Sequence, residues 1–439
     1  MPDVPRDDYQ AQRQAVAAAR GQAAGEVLAR HGVDGLMRLA EASDLPRAVG
    51  WAATGGETDL TAELLPALGT TGPRAALAAG WAAGQLERHG IAWAHDVLEG
   101  AAPTVEARAA LLLELEPDDQ AWELVARQGQ EVEARYWRLA RPFAVRAGLI
   151  ERAVGRLLHF ERPWAAVDLL AGNVHDGQPV DPRLVERVLV GAAQSEEADV
   201  AVHAAWEVGQ LLDALERAEF PSERLAGLEF TYFALVEDLR APRALPVELA
   251  KDPTLFVELV RHVYRREDGA EEPDVRLELA NHAWQVLHGL RRLPGQADDG
   301  HIETQALRDW VDEVRRQLAD ADRADAADRL LGQLLAVSPP GADGVWPAEA
   351  VREVAETLRS NRFDEGLQIG RRNARGVTSR TPYEGGAQER ALADGLRADA
   401  RRLQTRWPRT ARNLRALAKD YEAEAREYDR EAERCADDG

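Results

Sequence analysis

Apolar positions recur along almost the whole chain at the spacing of one helix face. Leu228, Tyr232, Leu235, Val236 and Leu239 follow i, i+4, i+7, i+8, i+11, and Phe256, Leu259, Val260, Val263 and Tyr264 do the same one element later. The starts of such stripes are marked chemically. Asp181-Pro182 and Asp252-Pro253 each set an acceptor before a proline at a first helical position, where its missing N–H costs nothing. Thr104 and Ser222 read as weaker caps of the same kind. The links between stripes are short and carry Gly, Pro or Asp: Gly55-Gly56, Gly72-Pro73, Pro117-Asp118, Pro242 and Pro294-Gly295. Short links force antiparallel neighbours. No stretch alternates with the two-residue period of a strand, so the pattern predicts an all-α chain of stacked antiparallel helices.

One internal echo shapes that expectation further. Gly50-Trp51-Ala52-Ala53 returns as Gly80-Trp81-Ala82-Ala83, and Trp164-Ala165-Ala166 repeats part of it out of phase. A spacing near thirty suits a helical hairpin stacked on copies of itself, so residues 30–215 are expected to form an α-solenoid of the TPR or HEAT kind, the alternative being an irregular bundle. Texture divides the chain into three. Residues 1–215 hold short, Ala- and Trp-rich helices. Residues 216–340 carry longer ones, with an acidic link from Glu267 to Asp274. Residues 341–439 form a C-terminal helical subdomain, with a Gly/Arg-rich loop from Gly370 to Gly386 and a long charged helix. In that helix Leu414, Tyr421 and Tyr428, with Leu417, Ala425 and Ala432 between them, make a seam of roughly heptad spacing that is expected to pack on the rest of the protein.

Composition agrees with the pattern: 439 residues dominated by Ala, Leu, Arg and Glu, strong helix formers all, with 6% aromatics. The net charge of −22 argues against bulk nucleic-acid binding and against an anionic membrane surface. No signal-peptide pattern opens the chain and no apolar run reaches the roughly 18 residues of a membrane span, so cytoplasm is the expected compartment. A single cysteine, Cys435, excludes disulfides within the chain and cysteine-based metal sites.

Chemistry is harder to find. Phosphate-loop and dinucleotide fingerprints are absent, as are the nucleophile elbow and the H-E-x-x-H zinc motif. His95-Asp96 and His175-Asp176 invite comparison with metal-dependent phosphohydrolases, but no spacing selects the further ligands such a site needs; His89 and Asp168 are candidates by type alone. No metal, cofactor or enzymatic activity is therefore expected. Of eleven tryptophans, Trp122, Trp137, Trp206, Trp284 and Trp310 sit on predicted apolar faces as core; a peptide groove lined by Trp51, Trp81 and Trp93 is the sharper possibility.

The strongest candidate is basic. Between Arg359 and Arg415 lie 14 arginines against six acids, a block of +8 whose surroundings sum to −30. Clustered guanidinium groups grip phosphate or carboxylate through paired hydrogen bonds, which nominates Arg371, Arg372, Arg375, Arg380, Arg390 and Arg409 as a partner- or anion-binding surface. Three occupants stand open: the chain's own acids or a partner protein, nucleic acid, and a small anion. The thin aromatic content (Tyr383, Trp407) gives no base-stacking platform.

Several phrases carry a resemblance: Tyr136-Trp137-Arg138, Arg162 to Leu170, Leu228 to Tyr264, Asn373-Ala374-Arg375-Gly376-Val377, Gly385 to Arg390, and Trp407-Pro408-Arg409-Thr410-Ala411. With them the chain resembles the helical C-terminal portion of large, uncharacterised bacterial proteins associated with predicted antiphage or conflict systems. The resemblance implies helical repeats that sense or scaffold while an ATPase or effector subunit does the chemistry. It implies a non-enzymatic interaction module with a protein partner; the alternative is a nucleic-acid or anionic-ligand sensor acting through the arginine block.

Overall fold

A computed structural model describes residues 9–56, 58–100, 104–141, 145–195, 203–266, 277–297, 299–376, 379–381 and 384–437. The acidic link from Glu267 to Asp274 and Tyr383 lie outside the described residues. The fold is all-α: among the described residues the helices are joined by turns, and the one β-type pairing is an isolated bridge between Gln296 and Ile302. None of these helices is long and apolar enough to cross a membrane.

The chain forms two compact units, Met1–Ala218 and Glu219–Gly439. The first runs through α1 (Tyr9–Glu41), α2 (Pro46–Ala53), α3 (Thr61–Leu68), α4 (Pro73–Gly100), α5 (Val105–Leu112), α6 (Asp119–Arg127), α7 (Gln130–Leu139), α8 (Ile150–His159), α9 (Pro163–His175), α10 (Pro182–Ala193) and α11 (Ala204–Arg217). The second runs through α12 (Ser222–Thr231), α13 (Phe233–Val236), α14 (Ala244–Lys251), α15 (Pro253–Val263), α16 (Leu277–Gly289), α17 (Thr304–Asp320), α18 (Ala324–Leu335), α19 (Glu349–Leu358), α20 (Asn361–Asn373), α21 (Ala387–Leu403) and α22 (Pro408–Asp437).

Three of the four caps read from sequence form. The side chains of Thr104, Asp181 and Asp252 accept from the N–H groups of Ala107, Arg183 and Thr254. Ser222 does not cap; it is the first helical residue, with Pro221 at the cap position. The stripe from Leu228 to Leu239 is not one helix. The chain turns at Tyr232, and Leu235 and Leu239 reach solvent. Beyond the turn, Glu229 anchors the returning chain. Its buried carboxylate accepts from the backbone N–H groups of Arg243 and Leu245 and from the Arg240 guanidinium, which folds the 240–245 segment back onto α12.

The echo around Gly50 and Gly80 has a physical meaning. The two phrases lie on α2 and α4, which cross with their backbones in contact. A Cβ on Gly50 would sit closer than 3.0 Å to the Leu77 carbonyl oxygen, and one on Gly80 equally close to that of Arg47. Each glycine thus faces the carbonyl three residues before the other, an approach that no side chain permits and that suits Cα–H···O contacts. The second unit repeats the device. Gly332 on α18 faces the Phe363 carbonyl and Gly366 on α20 faces that of Arg329, again three residues before the partner glycine. One turn on, Gly84 meets Thr54 and Gly370 meets Ala336, the same register in both units.

A further duplication accompanies it. Leu28-Ala29-Arg30-His31-Gly32-Val33 and Leu86-Glu87-Arg88-His89-Gly90-Ile91 stand 58 positions apart. Gly32 and Gly90 adopt nearly the same left-handed conformation (φ 62°, ψ −164°; φ 67°, ψ −167°), which kinks α1 and α4. That region is essentially closed to residues with a Cβ.

Large rings fill what these Ala-rich helices leave open. Trp122, Tyr136 and Trp137 cluster with ring centroids 5.3–5.5 Å apart, and Trp122 Nε1 donates to the Tyr136 hydroxyl at 3.3 Å. Trp310 packs edge-on to Phe256. Trp206 and Trp284, expected in the core, are 41% and 49% exposed. Their rings lie instead against His175 and His288, each an aromatic partner near the surface.

The crossing makes a direct prediction. Gly366→Ala forces a methyl group into a backbone carbonyl and is expected to destabilise the protein by roughly 1–3 kcal/mol or more. Gly155→Ala, on an exposed helical position with open space around it, is expected to stabilise by roughly 0.5–1 kcal/mol. Urea denaturation of the two variants checks both signs.

Candidate functional site

The arginine block is organised by the rotation of α20. Its Phe363, Gly366, Leu367 and Gly370 side faces α18. That places Asp364, Gln368 and Arg372, spaced four apart, toward α22. Asp364 accepts from Arg409 at 2.7 Å, Arg412 at 3.1 Å and the Asn413 amide at 2.7 Å. Gln368 reaches Asn413, and Arg372 pairs with Glu424 and, more distantly, Asp420. Gly370, Arg371, Arg372 and Asn373 are therefore the last turn of a helix, where the sequence pattern suggests a loop. Gly370 serves the close contact with α18 rather than lending the backbone freedom.

Most of the remaining candidates are held in the same way. Arg375 and Arg380 converge on Glu389, at 2.6 and 2.9 Å, and their guanidinium groups cover the rings of Tyr421 and Tyr428. Glu389 is wholly buried. Burial alone would raise its pKa, but the hydrogen bonds from Arg380 and Arg375 outweigh that and hold it below the ordinary carboxylate range. Arg390 forks onto Asp429, which also accepts the Gly386 N–H; both bonds lower the Asp429 pKa. With Arg397–Glu422 these pairs clamp α21 antiparallel to α22, and the seam of Leu414, Leu417, Tyr421 and Ala425 is buried. Arg371 differs. It lies exposed with its guanidinium stacked on the Trp346 ring at 4.7 Å.

Sequence reasoning misses Arg352, just outside the block and fully buried. It forks onto Asp343 at 2.8 Å, donates to the Pro347 carbonyl at 2.6 Å, and lies over Trp407. Arg352, the first cause, holds the Asp343 carboxyl down at about 2. Trp407, one of the two aromatics of the basic window, is buried and in contact with both Arg352 and Arg406. Of the acids that absorb the block, Asp364 and Glu389 lie inside the basic window, while Glu422, Glu424 and Asp429 lie beyond its end at Arg415 and so go unweighed in it.

In the first unit the two His-Asp dipeptides sit on different helices, α4 and the end of α9. His95 lies 3.4 Å from Glu99 one turn on, and His175 packs on Trp206. Among the described residues no group of three His, Cys, Asp or Glu side chains is placed to hold a metal ion. The three tryptophans of the expected groove also separate. Trp81 is buried with Trp93 edge-on at 5.5 Å, whereas Trp51 is 43% exposed. Trp51 belongs to a partly apolar surface of α1, α2 and the link between them: it borders one hollow with Val16, while Leu39 and Leu45 border a second. Two hollows of about 450 and 170 Å³ run along it and share Arg20, Ala48 and Ala52.

No family model, curated protein or solved structure matches the chain.

The Glu389 triad predicts a pH signature. Its folded pKa lies below the ordinary 4.5, so the stability it supplies is complete above that value and is lost as pH falls through the folded one. Glu389→Gln is expected to cost about 3 kcal/mol at pH 7, as removal of one partner of a buried pair does. The difference from the parent narrows toward pH 3. Denaturation curves across that range check it; a gap constant with pH contradicts it.

Proposed function

We propose that the chain is a non-enzymatic interaction module that binds another protein, as a component of a bacterial defence or signalling assembly in which an ATPase or effector subunit does the chemistry. The observation that carries the proposal is the exposed apolar face of α1 and α2, where Leu45 is 58% and Trp51 43% exposed beside two continuous hollows. Scattered apolar side chains on a surface need no explanation; here Val16 and Trp51 border one hollow, Leu39 and Leu45 border the other, and the two hollows share Arg20, Ala48 and Ala52. The resemblance of the helical phrases to conflict-system proteins supports the wider setting. The fitting occupant is an amphipathic helix from the partner, its apolar side against Trp51 and Leu45 and a carboxylate meeting Arg20, the charged residue common to both hollows.

The nucleic-acid alternative draws less support. Salt-dependent phosphate binding needs guanidinium groups free to displace counterions. Arg372, Arg375, Arg380, Arg390 and Arg409 are each engaged by carboxylates of the same chain.

A photo-crosslinking residue placed at Leu45 in the native host tests the proposal, with the same residue at exposed Leu392 as control. The expected outcome is one protein captured at position 45, not at 392, and lost when Trp51→Glu is added. Capture of a second copy of the chain would replace the partner by self-association. Equal yields at both positions would remove the face as a docking site.

A further inference from the structure

In the second unit the last turns of α16, α18 and α20 meet around a cavity of about 460 Å³. That volume falls in the range of small-molecule sites, roughly 300–1,000 Å³. Its floor is apolar: Phe256, Leu287, Leu290, Leu330 and Leu334 are all buried residues that contribute to it. Among the described residues its polar lining is His288, Arg291, Gln333, Arg371 and Asn373, with no Asp or Glu. In a chain of net charge −22, a hollow lined by two arginines and free of carboxylates is a local reversal of sign.

Three helix C-termini also point partial negative charge toward this place, at most about half a charge each. They are largely answered already. Arg291 Nη1 donates to the carbonyls of His288 and Leu290, at 3.0 and 2.9 Å, closing the end of α16. The final turns of α18 and α20 close on themselves through Val337 N–H to Leu334 O and Ala374 N–H to Gly370 O. Arg371 brings a full charge. Its Cζ lies 4.7 Å from the Trp346 ring centroid, a cation–π contact that engages the face of the guanidinium, whose N–H groups can donate as a fork to a planar anion. The cavity is therefore greasy below and cationic at the rim.

We infer that this cavity binds an amphipathic organic anion, with an apolar body on the leucine and phenylalanine floor and one carboxylate gripped by Arg371. Arg291, already oriented by its backbone bonds, adds a second positive charge alongside. This site and the α1–α2 face of the first unit are separate features, so either reading can fail without the other.

Calorimetric titration of the full chain with decanoate tests the inference, with decyltrimethylammonium and inorganic phosphate as comparisons. Arg371→Gln changes an exposed side chain and leaves the core untouched; Ala374→Trp plugs the rim from another exposed position. Decanoate is expected to bind at least about tenfold more tightly than the cation, and to lose about tenfold in affinity with Arg371→Gln, the factor that one charge-assisted hydrogen bond supplies. Ala374→Trp is expected to abolish binding, and phosphate alone to bind far more weakly than decanoate. The inference is overturned if decanoate does not bind, if both variants bind it as the parent does, if the cation binds equally well, or if phosphate matches decanoate.

Discussion

Each unit of this protein rests on one contact, two helices crossing so closely that their backbones touch at paired glycines. The chain is rich in alanine and has only 6% aromatics, and alanine faces enclose a core only when helices approach closely. Gly50 with Gly80, and Gly332 with Gly366, supply that approach in the same register. Where helices lie that near, their rotations are fixed as well as their distance. In α20 this matters beyond packing. With Gly366 and Gly370 committed to α18, Asp364, Gln368 and Arg372 have α22 as their neighbour, and Arg371 is turned toward Trp346 and the cavity.

The charge pattern follows from this geometry. A +8 segment in an acidic chain suggests a surface for anions, and the chain's own carboxylates take up most of it. Glu389 and Asp364 are buried, so the guanidinium groups they receive compensate charges that would otherwise be costly to bury. Glu424 and Asp429 hold the rim of the same assembly in more exposed pairs, each individually weaker. The arginines of α20, α21 and α22 thus act mainly as the fastening of a helical hairpin to its neighbours. Among the described residues, Arg371 stands apart from these pairs, exposed on Trp346 beside the cavity of the second unit.

Much of the helical pattern was legible in the sequence because it depends on local chemistry. The caps at Asp181, Asp252 and Thr104 form as their Asp-Pro and Thr contexts suggest. The seam is buried through Leu414, Leu417, Tyr421 and Ala425 as its spacing implies, and only half-buried at Tyr428 and Ala432. What was not legible depends on contacts distant in sequence. Glu229 on α12 ties down backbone 14 and 16 residues away. The Gly-Trp-Ala-Ala echo reads as a repeat of successive hairpins, whereas its glycines are two sides of one crossing. The glycines of α20 read as a loop because glycine is usually a sign of freedom; here they mark the tightest packing. The Arg-His-Gly duplication was available in the sequence as a matched phrase, but its 58-residue spacing falls outside the short period that the tryptophans suggest.

The single rotation of α20 spends Arg375, Arg380 and Arg409 inside the protein and leaves Arg371 outside. Labelling the folded chain with the arginine-selective reagent phenylglyoxal, followed by peptide mass spectrometry over time, measures this directly. The account predicts that Arg371 is modified well ahead of Arg375, Arg380 and Arg409. Equal rates across the four, or Arg371 among the slowest, would contradict it.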